Sequence, residues 1–182
     1  MREEVRRELE LFRLGPTLLK AALRQFPKKM WCYQQRDDRL SVHDLVIQLA
    51  EAEATMYVRC RQFIAEPASA TVEFGYRAGA RSFVYFHQDV RDSLKIIAQL
   101  RKATYRLLCA LPDHLFDTVV IDARFGSIPL NRWIMIQQRH LPACIEQMRK
   151  NYNSWIKAHP PRKPATKQGF APDDSQESLG MK

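Results

Sequence analysis

Residues 39–53 read RLSVHDLVIQLAEAE, and the fold turns on this stretch. Ser41 is a good N-cap, because its hydroxyl can accept a bond from a free N–H of the first helical turn. Asp44 stands at N3, a shorter version of the capping-box acid, while Leu40 and Leu45 occupy the N′ and N4 positions of a hydrophobic staple. Behind this start, Leu45, Leu49, Ala52, Met56, Cys60 and Phe63 recur every three to four residues, the period of a helix with one buried face. The spacing predicts a long amphipathic helix running to about Ala65, before Pro67.

Similar stripes lie on either side. Upstream, a charged segment reaches Gly15-Pro16, where a helix is expected to break and restart, since proline suits a first helical turn. Leu18, Leu19, Ala22, Leu23 and Phe26 follow, and Pro27 stops them. The polar stretch from Lys28 to Arg39 reads as a loop. Downstream, a small-residue loop (67–80) precedes a third stripe of Phe83, Phe86, Val90, Leu94, Ile97, Leu100, Leu107 and Leu111, closed by Pro112. Between Asp117 and Leu130, Val119 and Ile121 alternate with their neighbours and Phe125-Gly126 offers a turn, so a short hairpin or extended crossing is expected. A fourth helix opens near Pro129 with Trp133, Ile136, Leu141, Ile145, Met148, Tyr152 and Trp155, and Pro142 inside it forfeits one backbone bond. From His159 onward, the Pro-, Lys- and Ser-rich sequence lacks periodicity and reads as a disordered tail.

Four long amphipathic helices in one small chain bury their stripes by closing into a bundle. The expected fold is therefore all-α: a four-helix bundle over residues 1–158 with a short crossing between helices 3 and 4, and a basic, Pro-rich tail over 159–182.

Composition narrows the function. The 182 residues are 46% hydrophobic and 27% charged, the balance of a globular protein, and only 6 glycines argue against a turn-rich sandwich or propeller. No apolar run approaches the roughly 18 residues of a membrane span. The opening MREEVRRELE has no apolar core for a secretory signal, so a cytoplasmic address is expected. Cys32, Cys60, Cys109 and Cys144 form no CxxC pair, which fits reduced, mostly buried thiols. A net charge of +9 favours anionic partners, but the basic residues are scattered in sequence. The densest set (Lys157, Arg162, Lys163, Lys167) lies toward the tail, and no RNP motif or helix-turn-helix argues for specific nucleic-acid binding.

On helix 4, His140 and Cys144 are four residues apart, which stacks both on one helical face, close enough to share a metal ion. Gln137 and Gln147 extend this polar seam. On helix 2, Gln48 interrupts the run Leu45-Val46-Ile47-Gln48-Leu49-Ala50, and a polar amide there either faces water or serves a site. The unremarkable alternatives are a His140 hydrogen-bonded to Gln48 across the bundle and a Cys144 that acts as a small hydrophobe. His43, Glu51, Glu53 and His87 are further donors that no spacing places at the site; Glu51 and Glu53 read as the solvated edge of helix 2.

RLSVHDLVIQLAEAE, followed some ninety residues later by RHLPACIEQM (139–148), resembles the DinB/YfiT-like superfamily of metalloenzymes. The likeness covers roughly residues 10–157 and implies a four-helix bundle with a metal triad, one ligand from an "HLAxxE"-like stretch of helix 2 and two from an HxxxH pair on the last helix. Carried onto this chain, the triad falls on Gln48, His140 and Cys144. Only His140 keeps the family's usual residue, and Leu40 stands where members tend to have tryptophan. The resemblance implies a divalent transition metal, zinc or nickel. Imidazole and thiolate are good donors to such ions, whereas a glutamine carbonyl is a poor one, and a catalytic site normally needs three protein ligands plus an open position.

Two readings from different classes follow. In one, the metal site has decayed and the bundle is non-catalytic or binds metal weakly. In the other, which the resemblance implies, the metal lowers the pKa of an anionic low-molecular-weight thiol for S-transfer or thiol-dependent isomerisation. Bundles of this type often pair through exposed apolar faces, which would make a homodimer.

Overall fold

A computed structural model describes residues 3–34, 40–69, 85 and 87–160. Among the described residues four helices dominate: α1 (Glu3–Arg24), α2 (Val42–Ala65), α3 (Val90–Cys109) and α4 (Leu130–Ala158). The strands β1 (Val119–Asp122) and β2 (Gly126–Pro129) form an antiparallel hairpin between α3 and α4. The four-helix expectation holds, including the short crossing.

The start of α2 is built as its sequence predicts. Ser41 Oγ accepts from the Asp44 N–H at 3.1 Å, and Asp44 Oδ2 accepts from the Ser41 N–H at 3.0 Å, a reciprocal capping box. Asp44 is half-buried; desolvation pushes its carboxyl up, but the bonds from Ser41 and Gln34 outweigh this and hold it below the usual value.

Two apolar clusters divide the interior by height. One joins the C-terminal half of α1, the first turns of α2 and α3, and Leu141, Cys144, Ile145 and Met148 of α4. The other joins Val5, Leu9 and Phe12 of α1, Met56, Cys60 and Phe63 of α2, Leu108 of α3, the hairpin's Val120 and the first turns of α4. It follows that α1 and α4 run one way, while α2 and α3 run the other. The chain leaves α2 at one end and starts α3 at the opposite end. In cross-section α3 packs between α1 and α2, and α4 closes the other side against both.

Three sequence expectations are corrected. First, α1 does not break at Gly15-Pro16: it is one helix from Glu3 to Arg24. Pro16 removes the N–H that would bond the Phe12 carbonyl, but Arg101 Nη1 of α3 donates to that carbonyl at 2.9 Å and replaces the lost bond. Gly15 makes room, because a Cβ there would lie 2.0 Å from Arg101 Nη1.

Second, the buried seam of α3 is Val90, Ser93, Ile97, Arg101, Thr104 and Leu108, with Leu94, Leu100, Leu107 and Leu111 on its half-buried flanks. The expected all-apolar face is thus rotated, because Arg101 has a partner inside the bundle. Phe83 and Phe86 lie outside the described residues. Asp89 caps α3, accepting from the N–H groups of Arg91 and Asp92.

Third, the hairpin turns Val120 and Asp122 inward and leaves Val119 exposed. Asp122 pairs with Gly126 across a three-residue loop, and Gly126 takes a positive φ of 69° that suits glycine. Asp122 decides the face, since Trp133 Nε1 and Arg59 Nη1 both donate to its Oδ2.

The last helix passes through Pro142 and ends at Ala158. The expected tail from 159 falls almost wholly outside the described residues. Among the described residues no helix is long and apolar enough to cross a membrane. All four cysteines are free, but Cys32 and Cys109 are exposed, so only Cys60 and Cys144 are the buried thiols expected.

Candidate metal site at the waist of the bundle

Between the two apolar clusters the helices bring polar groups to one level. Helix α2 supplies Glu53, which is 4% exposed, and α3 supplies Arg101, 2% exposed, and Thr104, fully buried. Arg101 Nε donates to Glu53 Oε1 at 2.6 Å, and its guanidinium lies over the Phe12 ring at 4.2 Å. This corrects the reading of Glu53 as a solvated edge residue. A carboxylate can be buried here because a fixed guanidinium, held by the carbonyl that Pro16 frees, meets it. The pairing is incomplete: among the described residues, Glu53 Oε2 and Thr104 Oγ1 have no hydrogen-bond partner. Burial pushes the Glu53 carboxyl up, against the pull of Arg101.

His140 and Cys144 of α4 flank this waist. Cys144 Sγ lies 3.6 Å from His140 Nε2, so the one-turn spacing does bring the two side chains together. Burial lowers the His140 pKa, and the positive charges of Arg101 and Arg124 lower it further. Burial also pushes the Cys144 thiol up to about 12. Near neutral pH the contact is therefore between a neutral imidazole and a thiol.

Gln48 is half-buried on α2. Among the described residues no hydrogen bond joins it to His140 or Cys144. The other donors are engaged or turned away. His43 Nε2 lies 3.1 Å from the Gln88 carbonyl, and its Nδ1 faces Asp44 Oδ1 at 3.5 Å. The Tyr85 hydroxyl donates to Glu51, and His87 is exposed. Among the described residues, no three His, Cys, Asp or Glu side chains are grouped to hold one metal ion.

These groups fit a catalytic zinc or nickel ion poorly. Metal ligation needs the thiol ionised, and the burial that raises the Cys144 pKa opposes that ionisation. The amide of Gln48 is a weak third donor, and the cations that disfavour a charged His140 would oppose a bound metal cation in the same way.

Sequence reading located His140 and Cys144 but missed Arg101, whose signal lies in two distant places. Gly15-Pro16 leaves a carbonyl free and a Cβ absent, and an arginine sits where the α3 period expects an apolar residue.

Neither the family models nor the curated proteins match this chain. Among solved structures it is similar to YfiT from Bacillus subtilis, described as a probable metal-dependent hydrolase with an unusual four-helix bundle topology. That likeness has a TM-score of 0.77 at 18% identity and covers 85% of this chain and 90% of that one. By its fold, this chain is a four-helix bundle similar to that of YfiT.

Proposed function

We propose that this chain is a DinB/YfiT-like bundle whose metal site has decayed, leaving a protein that is non-catalytic or binds metal only weakly. The observation that carries this reading is the His140–Cys144 contact itself. The two remaining donor types are hydrogen-bonded to each other at 3.6 Å, in surroundings whose burial raises the pKa of the thiol. Gln48, at the family's helix-2 ligand position, adds no strong donor. The site works as a hydrogen-bonded polar contact within the core.

The competing reading, metal-assisted transfer of an anionic low-molecular-weight thiol, draws on the same contact, because imidazole and cysteine sulfur are both zinc ligands once deprotonated. Melting curves with and without a strong chelator separate the two. The wild type is expected to melt at one temperature in both, while a Gln48→His/Cys144→His variant loaded with zinc loses several degrees when the chelator strips it. A wild-type melting point that drops on chelation would favour the metalloenzyme.

A further inference from the structure

A groove between α1 and α3 gathers cations that are scattered in the sequence. Arg13 and Lys20 from α1 and Arg101, Lys102 and Arg106 from α3 line one cavity of about 450 Å³, into which Thr17 and Tyr105 also project. Among the described residues no carboxylate lines it. Glu10, near its rim, is already committed: Arg13 Nε donates to it at 2.8 Å and the Tyr105 hydroxyl at 2.5 Å. Arg101 forms the buried floor and is held rigid by Glu53 and the Phe12 carbonyl. Among the described residues, Lys20, Lys102 and Arg106 have no ion-pair partner. Three uncompensated cations therefore converge on one cavity, two of them, Lys102 and Arg106, as a like-charge i,i+4 pair that repels within α3.

Such a concentration of positive charge is relieved by an anion. Arginine offers a planar fork and lysine a compact point charge, and both recognise phosphate oxygens. The hydroxyl of Thr17 adds a neutral hydrogen-bond donor, while that of Tyr105 is already given to Glu10. The volume lies in the roughly 300–1,000 Å³ range of small-molecule sites, enough for a ligand of nucleotide size. We infer that the α1–α3 groove binds a small organic phosphate carrying at least two negative charges. This does not rest on the state of the metal site.

The test is a calorimetric titration of the full chain with inorganic pyrophosphate at low and at physiological salt. One pyrophosphate per chain is expected, bound more weakly as salt rises. A Lys102→Ala/Arg106→Ala variant should lose about tenfold or more in affinity, since each charge-assisted contact contributes on that order. Lys20→Ala should lose part of it. Lys28→Ala/Lys29→Ala, which removes two cations after α1 and outside the groove, should bind as the wild type does. Both substituted α3 residues are exposed, and unchanged melting of the variant establishes that it is folded. No binding of pyrophosphate, or equal binding by the wild type and the α3 double variant, overturns the inference. So does binding of a single-stranded oligonucleotide or of phosphatidylserine vesicles in the absence of any pyrophosphate binding.

Discussion

Asp122 at the hairpin and Glu53 at the waist are both buried carboxylates, but they are satisfied to different degrees. Asp122 Oδ2 accepts from Trp133 Nε1 at 2.9 Å and Arg59 Nη1 at 3.2 Å, and its Oδ1 accepts from the N–H groups of Arg124 at 2.8 Å and Phe125 at 3.1 Å. Its hydrogen-bonding capacity is used, and the node ties the hairpin to α2 and α4. Glu53 has one oxygen on Arg101 and the other without a partner. The hairpin end is a finished staple. The waist, the level that His140 borders, keeps polar capacity unspent inside the bundle, where an unpaired group is costly.

The sharpest way to break this contrast is to remove Arg101. Arg101→Met leaves Glu53 buried without a counter-charge and the Phe12 carbonyl unbonded, and should cost about 3–5 kcal/mol. Glu53→Leu/Arg101→Met should recover most of that loss in denaturant unfolding, because an apolar pair of similar volume avoids both desolvation penalties. If the double variant is no more stable than the single one, the ion pair is not the unit that matters at the waist.

Asp122→Asn comes next. It keeps the shape but replaces an acceptor oxygen with a donor nitrogen facing Trp133, Arg59 or the loop N–H groups, for about 2 kcal/mol. Unlike the waist, this node should show no rescue by an apolar substitution, since Arg59, Trp133 and two backbone groups would all lose their partner. Gly15→Ala should be smaller, about 1–2 kcal/mol destabilising, because the new Cβ collides with the Arg101 guanidinium. That sign opposes the gain of about 1 kcal/mol that alanine brings to an ordinary helix interior. A stabilised Gly15→Ala would mean that α1 does not depend on the socket.

The smallest effect is a pH dependence. His140 has its folded-state pKa depressed, first by burial and then by Arg101 and Arg124. Its contribution is therefore present above the ordinary histidine value, about 6.5, and is lost as pH falls through the depressed one. The melting temperature should decline on acidification below about pH 6.5, and His140→Gln should flatten that decline. An identical slope in the variant would show that His140 is not held neutral by its surroundings.

Much of this architecture is legible in the sequence where a local rule operates alone. The capping box at Ser41 and Asp44, the stop before Pro67 and the turn at Gly126 depend on neighbouring residues, and each is found in place. What could not be read depended on partners far along the chain. Gly15-Pro16 reads as a helix break because the donor that mends it, Arg101, comes 89 residues later than the Phe12 carbonyl it bonds. Glu53 looks solvated for the same reason, and the α3 stripe is rotated because periodicity counts apolar residues only. At the site, the one-turn spacing of His140 and Cys144 was enough to predict their contact. Whether Gln48 takes part depends on how α2 and α4 face each other, which no single stripe reveals.

The proposed function holds that the His140–Cys144 contact has replaced a metal site. Metal content measured on untagged wild-type protein, beside the Gln48→His/Cys144→His variant, tests it directly. Far less than one transition-metal ion per chain is expected in the wild type and close to one in the variant. One ion per chain in the wild type would contradict it.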